Sequence, residues 1–203
     1  MKKRQFLSTA GAVGLAGLSA ALPAQAAAIT APAGPIGPTG PTLLTVTGAI
    51  AKPNRGKLDP ARDVMMAKQK LSFEQAHAFD YAALTALPAL SIKPTLEYDA
   101  KPHTLRGPLL LDVVQAAGAQ LSDDTKLILR AVDGYAAAVT VAQARAQRWI
   151  VATHMDGAPM ALGGLGPLWA LCDADKVPEL AAIPLAGRFG GAPWALYHIE
   201  VRV

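Results

Sequence analysis

HTLRGPLLLDVVQAAGA, residues His103 to Ala119, holds a start signal, one apolar face and a stop signal for a helix. Gly107 is placed as its N-cap and Pro108 as its first helical residue, where the missing N–H costs nothing and the fixed φ suits the helix. Leu109, Leu110, Val113, Val114 and Ala117 then recur at helical spacing, and Gly118 sits where a left-handed residue ends the element. The polar turn Lys101 to Arg106 is thereby left at the helix start, where unpaired N–H groups favour anions. It is the first candidate site.

Working outward, Asp80 is placed to cap a short helix, YAALTAL, closed by Pro88, and a strand is expected from Leu90 to Tyr98. Upstream, LLTVTGAI from Leu43 alternates like a first strand. Asp59 before Pro60 predicts a helix to about Lys70, and Ser72 with Gln75 resembles a capping box. Downstream, Thr125 to Val132 and Tyr135 to Val139 flank Asp133-Gly134, a strong hairpin signal. Val141 to Arg145 reads as a brief helix. Strands are expected at Arg148 to His154, from Gly166-Pro167 to Cys172, and over WALYHIEVRV from Trp194 to Val203. Many strands, a few short helices and no repeated βαβ unit predict a mixed α+β fold without a dinucleotide-binding signature.

The 203 residues, 52% hydrophobic and 17% charged, supply ample core for one domain at 43–203. Residues 1–26 stand apart: Lys2, Lys3 and Arg4 precede a glycine-spaced apolar run, and Ala24-Gln25-Ala26 offers a small-residue cleavage site. That is an export signal, too short and weakly apolar for a spanning anchor, and it predicts a periplasmic or secreted protein. Lys3-Arg4-Gln5-Phe6-Leu7 looks like a twin-arginine signal with lysine first, although an ordinary secretory signal shares its charge and apolar run. Residues 27–42, rich in alanine, proline and glycine, read as an extended linker.

Removing Lys2, Lys3 and Arg4 lowers the formal net charge from +4 to +1, so nothing basic remains to suggest nucleic acid. Cys172 is the only cysteine, which excludes an intrachain disulfide and a cysteine zinc cluster. It reads as a buried small hydrophobe. Gly163-Gly164-Leu165-Gly166 lacks the lysine of a P-loop, and no Gly-x-Ser-x-Gly elbow exists. His77, His103, His154 and His198 show no paired metal spacing.

One resemblance runs through the pieces Phe79-Asp80 with Leu84 and Leu87-Pro88, His103-Thr104, Gly107-Pro108-Leu109-Leu110, Asp112-Val113-Val114 and Gly118. It continues through Asp133-Gly134-Tyr135, Asp156-Gly157, Pro159-Met160, Gly166-Pro167-Leu168-Trp169, Trp194 and Ile199-Glu200-Val201. In order and spacing they resemble the molybdopterin-binding domain of sulfite-oxidase-type oxidoreductases, in the short exported form that stands as a single domain. The resemblance implies a strand-rich sulfite-oxidase-like fold and a pterin dithiolene cofactor whose molybdenum takes a cysteine thiolate. It places that cysteine in the loop Pro94 to Tyr98, PTLEY, where this chain has none.

Phosphate anchoring of a pterin needs cations and backbone N–H groups, which His103, Arg106, Gly107 and Lys176 are the candidates to supply. No catalytic residue and no metal ligand is assigned. The missing cysteine favours a binding or accessory module without thiolate-ligated molybdenum, its cofactor either none or molybdopterin, its partner an anionic small molecule or pterin. Two alternatives are a molybdopterin-dependent oxidoreductase passing electrons to a periplasmic partner, and a structural or interaction domain with no small ligand.

Overall fold

The computed structural model describes residues 37–203, so the expected signal at 1–26 and most of the linker at 27–42 lie outside the described residues. At the linker's end, the Thr39 and Gly40 amides donate to Asp80 Oδ2 at 2.9 and 2.8 Å. β1 (Leu44–Gly48) follows where alternation and β-branching predict a strand. After β2 (Arg55–Gly56), Asp59 Oδ1 accepts from the Ala61 amide at 2.9 Å and closes a turn, so α1 (Val64–Lys68) starts later than its sequence signal. The capping-box reading at Ser72–Gln75 fails, because Gln75 opens β3 (Gln75–Phe79), antiparallel to β1. Burial of Ala76, Ala78 and Phe79 there outweighs the local cap signal.

Asp80 caps α2 (Tyr81–Thr85) as predicted, its Oδ1 accepting from the Ala83 amide at 2.8 Å. β4 (Ala89–Ile92) is shorter than the strand expected to reach Tyr98; beyond it the Leu96 amide turns back to the Lys101 carbonyl at 2.9 Å.

β5 (Leu105–Pro108) overturns the helix start read from the sequence. Gly107 and Pro108 are strand residues paired with Leu90 and Ala89, and α3 (Leu110–Ala116) begins after them with Leu109 at its N-cap. Pro108 fits a strand end because its missing N–H costs nothing there. The Leu110 amide donates to the Trp149 carbonyl at 2.8 Å, so the helix start docks on its neighbour rather than opening to an anion. The predicted face and stop are present: Leu110, Val113, Val114 and Ala117 are buried, and Gly118 has φ +86°.

β6 (Lys126–Ala131) and β7 (Ala136–Thr140) form the predicted hairpin, with Gly134 at φ +93°. Thr140 then caps α4 (Val141–Ala146). The remaining elements are β8 (Ile150–Ala152), β9 (His154–Met155), β10 (Ala158–Pro159), β11 (Trp169–Leu171), α5 (Pro178–Ala181) and β12 (Leu196–Arg202). A six-stranded sheet runs β2-β3-β1-β12-β6-β7, with β1 and β12 parallel at its centre and every other pair antiparallel. A four-stranded antiparallel sheet runs β10-β9-β5-β4, and β11 pairs with β8.

The architecture is thus mixed α and β, rich in strands, with short helices. One hydrophobic core joins Val46, Leu129 and Ile199 of the large sheet to Val113 and Val114 of α3 and to Ile150 and Trp169. No described helix is long and apolar enough to cross a membrane.

Gly107 is required by close approach. A Cβ there would lie 1.9 Å from the Val151 carbonyl oxygen, a backbone atom that cannot swing aside. Gly107→Ala should therefore cost about 3 kcal/mol or more in urea unfolding. Gly56→Ala, whose Cβ meets nothing within 4 Å, should stay within about 0.5 kcal/mol.

His198 is the core's one buried histidine. Its Nε2 meets Thr47 Oγ1 at 2.9 Å, and its Nδ1 has no partner among the described residues. Burial first, then the nearby Arg130 charge, push its pKa down to about 4, against the pull of Glu200. Because the unfolded histidine holds a proton below about pH 6.5, this contribution is complete above that value and is lost as pH falls toward 4. The loss is roughly 3 kcal/mol, and His198→Gln should flatten the stability curve in that window. Parallel curves for the two proteins would contradict this.

Candidate functional site

The four residues assigned to a pterin phosphate do not converge. His103 lies between two carboxylates: its Nδ1 meets Asp156 Oδ2 at 2.6 Å and its Nε2 meets Asp99 Oδ2 at 3.0 Å. Asp156 Oδ1 also accepts the Thr104 amide at 2.9 Å, which ties the loop before β5 to the β9–β10 turn. Asp156 first and Asp99 second raise the His103 pKa, while His103 lowers those of both carboxyls. Even protonated, the ring is one positive charge between two negative ones. A phosphate gains nothing there.

Arg106 is exposed on β5, opposite Ser91 of β4 and His154 of β9. His154 is itself engaged by the Tyr81 hydroxyl at 3.0 Å and Thr153 Oγ1 at 2.8 Å. Gly107 is buried within its strand, with no amide free at a helix start. Lys176 pairs with Asp173 at 2.8 Å and borders a depression of about 300 Å³ shared with Ser91 and Arg148 but not with His103 or Arg106. The anion cradle implied by the resemblance is therefore not assembled: its cations are paired with carboxylates or dispersed, and its glycine is sequestered.

Cys172 is buried, at 3% exposure, and burial chiefly pushes its thiol up to about 12, with the Asp173 charge adding to the effect. It borders a hollow of about 80 Å³ beside Trp149, Phe189 and Ala192. Among the described residues no group of three or more His, Cys, Asp or Glu side chains is arranged to hold a metal ion.

A different site stands out. The loop after β4, the β6–β7 hairpin and the segment before β12 enclose a cleft of about 310 Å³, lined by Glu97, Tyr98, Asp133, Tyr135, Phe189 and Trp194 among others. Phe189 stacks on buried Trp169, ring centroids 5.5 Å apart, and the Trp169 indole donates to the Ala192 carbonyl at 2.8 Å. The Tyr135 hydroxyl donates to the Gly190 carbonyl, and Trp194 bridges to Trp169 through its backbone. Ala195 turns the chain through a left-handed φ of +48° directly before β12. The cleft wall is thus fixed at several points.

Its electrostatics are negative. Glu97 and Asp133 supply two carboxylates, and among the described residues no Lys, Arg or His lines the cleft. Asp133 Oδ1 accepts the Tyr135 amide at 2.8 Å, and neither acid makes an ion pair among the described residues. Burial, then the Glu97 charge, raise the Tyr98 phenol above its usual range, so it stays neutral. Such a surface attracts cations and flat apolar groups and repels phosphates.

From the sequence, Tyr98, Tyr135 and Trp194 read as the ends of expected strands. The available signal is composition: aromatics make up only 5% of the chain, yet Tyr98, Tyr135 and Trp194 sit in or beside polar and glycine-rich turns rather than on apolar faces. No family model matches the chain, and no curated protein matches it.

Proposed function

We propose that this chain is an exported domain of the sulfite-oxidase-like molybdopterin-binding type that serves as a binding or accessory module, taking a small ligand in the Tyr98–Tyr135–Trp194 cleft without thiolate-ligated molybdenum. One observation carries the reading. The loop where the resemblance implies the metal's cysteine, Pro94 to Tyr98, contributes Glu97 and Tyr98 to the cleft, while the lone thiol borders a separate and smaller hollow.

The residues present do not fit that cofactor. Molybdenum would need a sulfur it can reach from the cleft, and Cys172 is buried beside a separate hollow that Glu97 and Tyr98 do not line. The terminal phosphate needs cations, and the cleft offers carboxylates. What this chain's own residues supply is a preformed aromatic surface with a fixed negative field, which is the equipment of a binding site.

Protein purified from its native compartment and assayed for molybdenum, tungsten and pterin fluorescence should contain all three far below stoichiometric levels. Stoichiometric molybdenum with a bound pterin contradicts the reading and makes the chain an oxidoreductase.

A further inference from the structure

We infer that the cleft binds a small organic ammonium cation, held by cation–π contact with Tyr98, Tyr135 and Trp194 and by the charges of Glu97 and Asp133. This rests on the cleft being the binding site and names the chemistry of its ligand.

The aromatic surface is the first observation. Tyr98, Tyr135 and Trp194 are 56%, 47% and 39% exposed, and every aromatic among the exposed large hydrophobic residues described lines this one cleft. They come from three segments far apart in sequence. Leaving that much ring surface in water is unfavourable unless something covers it.

Charge is the second, and it selects among possible occupants. A neutral ring would use the aromatic faces and gain nothing from two carboxylates, a sugar could donate hydroxyls to them without using their net charge, and a phosphate-bearing ligand would be repelled by them. An alkylammonium or quaternary ammonium group uses both, since ring faces attract cations and the acids lack ionic partners among the described residues. The volume of about 310 Å³ admits a molecule of few heavy atoms.

Rigidity is the third. Phe189 is stacked on Trp169, the Ala192 and Gly190 carbonyls are held by the Trp169 indole and the Tyr135 hydroxyl, and Trp194 is bridged to Trp169. Little ordering cost then falls on binding.

The test titrates the purified full chain, by calorimetry and tryptophan fluorescence, with choline and with its neutral isostere 3,3-dimethylbutan-1-ol. Choline should bind saturably at one site, and the isostere at least about tenfold more weakly, the difference being the cationic contribution. Glu97→Gln combined with Asp133→Asn, which keeps the acceptor for the Tyr135 amide, should lower choline affinity about tenfold and leave the isostere unchanged. Tyr98→Leu, at the exposed rim, should weaken choline binding with the melting temperature unchanged.

Equal affinity for choline and the isostere, or undiminished choline affinity in the double carboxamide variant, overturns the cation inference while leaving the cleft as a binding site. Absence of choline binding to the wild-type chain also overturns it. The wider reading fails separately, on stoichiometric molybdenum and pterin.

Discussion

Buried Trp169 holds the wall of the aromatic cleft together. Its ring stacks on Phe189, its indole N–H donates to the Ala192 carbonyl, and its backbone bridges to Trp194. Such an aromatic pair contributes about 1 kcal/mol beyond its buried area, and an indole N–H buried without its acceptor costs about 1–3 kcal/mol. Because β11 carries this residue and pairs with β8, the wall from Phe189 to Trp194 is fixed to the same core that packs α3.

Phe189 and Ala192 of that wall border two spaces of opposite character, the acidic aromatic cleft and the small hollow of Cys172. The lone sulfur of the chain is thereby kept apart from the cleft. A second constraint, the His103 clasp between Asp99 and Asp156, ties the loop that follows Tyr98 to the β9–β10 turn. Two carboxylates already flank the ring, so it braces the loop rather than receiving an anion. The cleft, in turn, presents the charge that a phosphate avoids.

Local signals were legible in the sequence. Asp133-Gly134 specified a turn, Asp80 a cap and Gly118 a helix end because each is settled by the few residues around it. Gly107-Pro108 was misread because the same dipeptide suits a helix start and a strand end, and pairing with β4 and packing on Val151 decide between them. Gln75–Phe79 failed for the same reason, its strand character coming from β1 beside it. The cleft was the least legible part, since Tyr98, Tyr135 and Trp194 meet only through tertiary structure. Its parts were singled out separately, the Pro94–Tyr98 loop for the cysteine it lacks, Asp133 and Tyr135 for a hairpin and Trp194 for a closing strand, with nothing in the sequence to join them.

Alkylation of Cys172 by iodoacetamide at mildly alkaline pH tests most directly whether the wall seals the sulfur away from solvent and ligand. A thiol at 3% exposure, pushed up to about 12, should react only as fast as the protein unfolds and become fully modified only in denaturant. Modification of the folded protein at the rate of a free model thiol would contradict the account, because the sulfur would then be available to a metal.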